Sequence, residues 1–455
     1  MNKTFFGLAA LLGPAIAAAA DAPKIDTGDT AIVLVSAGLV LLMTPGLAFF
    51  YGGLVRSKNV VHTMVLSLVC MAVVGVLWTL AGYSLAFSPG GVLNKFVGGL
   101  SWAGLRGVGA EPAPDLAATV PHLAFMLFQA MFAVITPALI SGAIVERVCL
   151  KAFILFVALW SLVVYSPVAH WVWAPGGWLR ELGALDFAGG TVVHINAASA
   201  ALVFALVLGK RRGLRAPTVL PHNVPFAILG AGLLWFGWLG FNGGSALGAN
   251  GLAAYAFTNT FVAPAAAALA WGLAELFFFH GKMSGVGIAS GAVAGLVAIT
   301  PASGFVTPFS SLFIGASAGI ASLLAVRVRP RLGLDDSLDV FAVHGVAATL
   351  GALLTGVFAD KAVNSAGADG SLALLGVQAV GVVATFAWSG LLSFALLKLV
   401  GSVTALRADE QDEWSGMDMS DSGERAYISS DLETSPSSGV AHGEPIAAPV
   451  PAPHH

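Results

Sequence analysis

The chain has 455 residues, of which 57% are hydrophobic and only 10% are charged, and its net charge at pH 7 is −3. Soluble domains carry about 25% charged residues, so this composition excludes an ordinary soluble enzyme and predicts an all-α membrane protein with many spans. The two cysteines, Cys70 and Cys149, lie in or beside apolar runs and exclude a disulfide framework or a cysteine-rich metal site. We expect no cofactor, no resident metal and no nucleic-acid partner.

Residues 1–20 have the pattern of a cleaved signal peptide. Lys3 lies near the start, an apolar run extends to Ala17, and small residues precede a cleavage point after Ala20. The alternative is an additional transmembrane helix, but the run is short and contains a glycine and a proline. We therefore expect cleavage and a mature N-terminus outside the cytoplasm.

From Ala31 onward, apolar stretches alternate with short loops that hold nearly all of the charge. Eleven stretches approach the ~20 residues that a helix needs to cross a bilayer. The predicted spans are 31–54, 60–87, 122–143, 152–171, 191–208, 224–242, 256–278, 284–301, 309–326, 338–358 and 371–400. Between the second and third spans, residues 88–121 form a long loop rich in Gly and Pro, predicted to be external.

The Lys and Arg residues set the expected orientation. With the N-terminus outside, the loops place 15 of the 21 in the cytoplasm, 5 outside and 1 in the signal segment. This bias obeys the positive-inside rule and puts the C-terminus in the cytoplasm. We expect a membrane domain at 21–404 and a cytoplasmic tail at 405–455, disordered from about residue 428.

One local pattern occurs twice. Asp186 precedes His194 by eight residues, Asp336 precedes His344 by eight residues, and an alanine pair begins three residues after each histidine. Eight residues of helix rise about 12 Å, so an imidazole eight residues after a carboxylate at the interface lies well inside the bilayer. An ionisable side chain at that depth marks a pathway or a proton relay by default. Asp186 also fits the structural role of a helix cap.

A second pair of motifs supports an internal repeat. Phe50-Tyr-Gly-Gly53 ends the first span, and Phe241-Asn-Gly-Gly244 ends the sixth. Because each half then holds five spans, an odd number, spans 1–5 and 6–10 must run in opposite directions. The sequence predicts an inverted five-helix repeat plus one extra helix, with binding sites near the midplane where the halves meet.

His194 and His344 fall at equivalent positions of the fifth and tenth spans. A neutral imidazole has one donor and one acceptor nitrogen, so a touching pair can share a proton and still face a guest molecule. Two unrelated packing histidines are the plainer alternative. A metal-binding pair in an intramembrane metalloenzyme is another, although no further ligand is evident nearby in the sequence.

Aromatic residues recur at helical spacing in two predicted spans. The members are Phe125, Phe128 and Phe132 in the third span, and Trp238, Phe241 and the hydroxyl-bearing Ser245 toward the end of the sixth. Such stripes are more often packing than function. With a hydroxyl at an external helix end they also fit capture of a cation, because each aromatic face contributes about 0.5–2 kcal/mol to binding it.

Several longer motifs are similar to those of one known family. They are Asp186–Ala198, Thr44–Gly53, Gly142–Arg147, Gly237–Asn242 and Asp339–Gly345. Because these motifs follow one another along the chain in the family's order, the chain over about residues 30–427 resembles the ammonium transporter family (Amt/Mep/Rh), in its bacterial branch.

The resemblance implies eleven spans with the N-terminus outside, a homotrimer with one pore per subunit, and a location in the bacterial inner membrane. It also implies an external ammonium recruitment site of Phe132, Trp173 and Ser245 supported by Asp186, a gate of Phe132 and Phe241, and the pore histidines His194 and His344. Further pore-lining positions carried over from the family are Phe128, Tyr165, Trp238 and Thr300.

The tail segments 406–418 and 423–427 resemble the region where PII-class signal proteins dock to block the pore in this family. The extension from Ile428 departs from the bacterial pattern, so the resemblance implies no role for it. The prediction is therefore an ammonium transporter or channel, not an enzyme. An ammonium sensor that signals through its tail is the main alternative, although about fifty tail residues offer no recognisable signalling domain.

Overall fold

The computed structural model describes residues 24–212, 220–279 and 281–427. The helices, in chain order, are α1 Thr27–Leu54, α2 Ser57–Phe87, α3 His122–Ile144, α4 Leu150–Leu182 (interrupted at 174–177), α5 Gly190–Leu208, α6 Val224–Ala246, α7 Gly251–Phe279, α8 Gly285–Ile299, α9 Pro308–Leu332, α10 Phe341–Phe358, α11 Leu372–Gly401 and α12 Glu410–Ser415. The predicted signal peptide and the predicted disorder from about residue 428 lie outside the described residues.

Within the described ranges, ten helices are long and apolar enough to cross a membrane, namely α1–α7 and α9–α11. The remaining apolar helix, α8, has only 15 residues, about 22 Å of helix against a hydrocarbon core of about 30 Å. It is shorter than predicted because Pro301 has no backbone N–H with which to continue the helical hydrogen bonds. A multi-span helical protein is confirmed, and the count of eleven membrane crossings stays a prediction.

The loop at 88–121 departs from the all-α prediction. It contains a small antiparallel sheet of two strands, β1 Pro112–Ala113 and β2 Ala117–Pro121. Prolines in this stretch disfavour helix, which leaves extended backbone as the available conformation. β2 leads directly into α3, and the backbone N–H of His122 donates to the carbonyl of Glu111. The sheet therefore fixes where α3 begins.

α1 and α6, the first helices of the two predicted halves, pack against each other in opposite directions. Ser36 of α1 faces Gly240 of α6, and further along α1 Phe50 faces the earlier Gly230. A Cβ atom at Gly230 would lie 2.2 Å from the backbone nitrogen of Phe50, so only glycine permits this approach. Antiparallel packing of corresponding helices is what an inverted repeat requires.

Both helices that carry the repeated histidines begin with a π-helical turn. The turns are Gly190–Ile195 in α5 and Phe341–Val346 in α10. Such turns are rare and occur frequently at functional sites, because the extra residue re-aims the side chains around it. Their recurrence in the two halves shows that the shared sequence frame folds in the same way twice.

The first part of the tail is folded. After α12, a π-helical turn at Asp418–Ser422 packs against the starts of α2 and α4. The Asp418 carboxylate accepts the backbone N–H of His62, and the Asp421 carboxylate accepts that of Leu150. The two aspartates thus cap the first turns of two distant helices.

Candidate functional site

The structure brings His194 and His344 into direct contact. Their Nδ1 atoms lie 3.3 Å apart, and the rings stack with their planes 19° apart. Both side chains are buried, with 1% and 2% exposure. Because the contact joins two like nitrogens, one Nδ1 must carry the hydrogen and the other must accept it. Among the described residues, Nε2 of His194 has no hydrogen-bond partner, so it is available to a guest.

A carboxylate cap positions each histidine-bearing helix. Asp186 accepts hydrogen bonds from the backbone N–H groups of Gly189, Gly190, Thr191 and Val192 and from the Thr191 hydroxyl. Asp336, its counterpart, accepts from the backbone N–H groups of Val340 and Phe341. The capping role expected for Asp186 is confirmed, and its part in substrate recruitment stays a prediction.

A left-handed residue precedes each π-helical turn. In the first half it is Gly189, with φ +113°, and in the second half it is Asp339, with φ +60°. Each lies five residues before its histidine, and each carbonyl accepts the backbone N–H four residues on, from Val193 and Val343 respectively. The turn that presents the imidazole therefore needs an unusual backbone conformation in both halves.

A series of aromatic rings leads to His194. The Phe132 and Phe241 rings lie 4.2 Å apart between centroids with a tilt of 34°, and Phe241 lies 6.0 Å from the His194 ring. On the other side, Phe132 makes edge contacts with Trp173 at 5.8 Å and Phe128 at 4.9 Å. The predicted gate residues are thus in contact, directly next to the histidine pair.

Trp238 and Thr300 support the same site. The Trp238 ring stacks on His194 at 5.2 Å, and its Nε1–H donates to the Thr300 hydroxyl at 2.8 Å. The Thr300 hydroxyl donates in turn to the carbonyl of Leu296. This chain of hydrogen bonds fixes the indole plane and, through it, the histidine ring.

Ser245 and Tyr165 have less direct positions. Ser245 is partly exposed, and its hydroxyl donates to the Phe241 carbonyl at 2.8 Å. The Tyr165 ring packs against Trp78 and Trp160, not against the histidine pair. The structure therefore places Ser245 beside the gate and Tyr165 in the surrounding packing.

His344 also lines a cavity of about 690 Å³ on its other side. Among the lining residues are Tyr51, Val343, Asp339 and Arg329. Asp339 begins one of the family motifs, but the sequence predicts no role for it. It lies five residues before His344, where the first half has Gly189, and this difference between the halves marks the position.

A buried cluster of ion pairs lies next to this cavity and joins residues of the two halves. Arg211 binds Glu146 of the first half and Asp335 of the second, each at 2.9 Å, and Glu146 also binds Arg56 at 2.9 Å. Burial alone would raise the pKa of Glu146, but Arg211 and Arg56 hold that pKa below its usual value. Burial would likewise raise the pKa of Asp335, but Arg211 outweighs it and holds that pKa below its usual value.

The described parts of the chain contain no group of three or more His, Cys, Asp or Glu residues arranged to hold a metal ion.

The bundle of apolar helices around a buried, aromatic-lined histidine pair has the architecture of a membrane transport protein. A model of the Ammonium Transporter Family matches residues 31–427. The chain belongs to the ammonium transporter family.

Relatives of known name agree with this assignment. The chain is 50% identical over 405 residues to an ammonium transporter of Bacillus subtilis, covering 88% of this chain and 98% of that protein. It is 48% identical over 432 residues to an ammonium transporter of Aquifex aeolicus, covering 93% and 98%. Family and fold indicate a transporter and not an enzyme.

Solved structures share the fold. The crystal structure of Saccharomyces cerevisiae Mep2 superposes with a TM-score of 0.80 at 37% identity, covering 85% of this chain and 89% of that one. A structure described as a sensor Amt protein gives a TM-score of 0.80 at 30% identity, covering 87% and 98%. The chain thus shares its fold both with Mep2 and with the sensor Amt protein.

Proposed function

We propose that the protein conducts ammonium across the inner membrane of a bacterium. Phe132, Trp173 and Ser245 capture NH4⁺ at the external side, with Asp186 holding the site in place. The ion loses its proton, and NH3 passes the Phe132–Phe241 gate and then His194 and His344. The proton is either released outside or crosses separately.

The contact between His194 and His344 carries this proposal. An imidazole pair next to stacked aromatic rings offers no set of oxygens that could replace the hydration shell of K⁺ or Na⁺, and a bare ion loses many kcal/mol on entering such a lining. Ammonium can instead hand its proton to an acceptor and cross as neutral ammonia. The free Nε2 of His194 supplies a hydrogen-bonding group to the passing molecule.

Orientation and assembly form part of the proposal. We infer eleven spans with the N-terminus outside, supported by the apolar helix α8 and by the threefold excess of basic residues in the predicted cytoplasmic loops. A homotrimer and a PII-class signal protein bound at the cytoplasmic face follow from the family resemblance. The folded tail segment up to Tyr427 provides a surface for such a partner.

An ammonium sensor is the alternative function. The fold similarity to a structure described as a sensor Amt protein supports it. The higher identity to proteins named as ammonium transporters favours transport. Flux through purified protein in liposomes separates the two, because a sensor without transport shows none.

The test of function is uptake of methylammonium, an ammonium analogue, by cells that lack their own transporters. We expect uptake with the wild-type chain. Selective uptake should be lost when His194 and His344 are both replaced by leucine. Asp115→Asn, on an exposed loop residue, is the matched control and should behave as wild type. Unchanged flux and selectivity in the double variant would exclude the histidine pathway. Current recorded at several membrane potentials decides whether the proton crosses too.

A further inference from the structure

The two halves differ in the residue that lies five positions before each histidine. The left-handed position before the π-helical turn is Gly189 in the first half and Asp339 in the second. Glycine adopts this conformation freely, whereas any residue with a Cβ carries a cost there. Strained residues cluster at functional sites, where the side chain is needed. The carboxyl group of Asp339 is therefore a candidate for a role that glycine could not fill.

The surroundings of Asp339 fit a role in transport. Its side chain, 24% exposed, lines the same cavity as His344, and Arg329 Nε lies 2.5 Å from Oδ1. The two side chains form an ion pair at the cavity wall, where a small cation with its own N–H donors can compete with the guanidinium for the carboxylate.

We propose that Asp339 forms a cation site at the inner end of the path, where its carboxyl group protonates ammonia that has passed His344 and binds the resulting ammonium ion. This inference rests on the proposed function and adds a residue to it. The acid gives its proton to the nitrogen lone pair, which leaves a carboxylate–ammonium pair. The ammonium ion departs, and the carboxylate takes its next proton from hydronium or a buffer acid in the adjoining water.

Such a role needs both the acid and the carboxylate to be populated near neutral pH. Burial raises the pKa of Asp339 to about 7, while Arg329 acts in the opposite direction. The other charged groups that act on Asp339 or line the cavity are Asp336, Arg211, Lys210, Glu275, Arg327 and Asp335. The cavity combines both signs of charge, and Asp339 is the carboxylate of this set that lies nearest to His344 in sequence.

The experiment uses two substitutions that separate charge from backbone. Asp339→Asn keeps the shape and tolerates the left-handed conformation, and Asp339→Gly removes the backbone strain altogether. Both lack the carboxyl group. We would measure methylammonium uptake and ammonium-driven current in liposomes with equal pH on both sides, varied over about two units around neutrality. Asp115→Asn again serves as the control.

We expect both variants to lower the maximal rate by about tenfold or more, with KM for external substrate unchanged and the pH dependence near neutrality flattened. Arg329→Gln should instead shift the pH profile upward, because Arg329 lowers the pKa of Asp339. Wild-type rate and pH profile in either Asp339 variant would overturn the inference, since a structural role predicts that glycine is harmless. An inactive wild type would instead refute the proposed function.

Discussion

Both halves present their histidine from a carboxylate-capped helix that begins with a π-helical turn, but the two caps differ in their number of hydrogen bonds. In the first half, the Asp186 carboxylate accepts five hydrogen bonds, and glycine occupies the left-handed position. In the second half, Asp336 accepts two, and an aspartate occupies that position. The histidine-bearing helix of the first half is therefore held by more hydrogen bonds. That of the second half has fewer cap hydrogen bonds and a costlier backbone conformation, and its aspartate lies beside the cavity that His344 lines.

The largest effect is expected where the halves share Arg211. Glu146→Gln removes a buried partner of both Arg211 and Arg56 and should cost about 3–5 kcal/mol, because it leaves buried charge uncompensated. Asp335→Asn should cost less, since its second cation, Arg147, lies 3.9 Å away, whereas Arg56 lies 2.9 Å from Glu146. Thermal unfolding in detergent at neutral pH measures both. Equal losses would show that the two halves contribute alike.

Acid should weaken the same cluster. The pKa values of Glu146 and Asp335 are lower in the folded protein than usual, so their stabilisation is fully present above the ordinary carboxyl pKa of about 4. It is lost as the pH falls through the lowered folded values. Unfolding temperature recorded against pH should therefore drop steeply below about pH 4, and less steeply in Glu146→Gln.

The caps come next in size. Asp186→Ala leaves several helix N–H groups and the Thr191 hydroxyl unpaired and should lower stability by about 2–3 kcal/mol. Asp336→Ala removes fewer bonds and should cost about 1 kcal/mol. The melting temperatures of the two variants show whether the Asp186 cap contributes more stability than the Asp336 cap. A larger loss in Asp336→Ala would reverse that conclusion.

The smallest effect concerns the left-handed positions. Gly189→Ala should destabilise by about 1–2 kcal/mol, because the backbone is strained and the added Cβ would lie 2.8 Å from Val193 Cγ2. Asp339→Gly should be neutral or slightly stabilising for the opposite reason. Melting temperatures of the two variants, each against wild type, give the answer. A stabilising Gly189→Ala would contradict the strain argument.

Hydrophobicity and spacing predicted most of the fold and the centre of the site. Long apolar stretches must become helices in a membrane, so the bundle followed from composition. The doubled Asp–His frame predicted the contact between His194 and His344. Periodicity could not reveal the strand pair inside the proline-rich loop, nor the π-helical turns, because both depend on local backbone geometry. The unusual backbone at Asp339 shows in the sequence only through its counterpart Gly189, five residues before His194, because a positive φ leaves no mark on the aspartate itself.

The folded tail has a consequence for biogenesis. Asp418 and Asp421 complete the first turns of α2 and α4, which leave the ribosome some 350 and 270 residues earlier than their caps. During synthesis those helix starts carry unsatisfied N–H groups until nearly the whole membrane domain has been made. In a chain truncated before Asp418, the backbone N–H groups of His62 and Leu150 would stay without these caps.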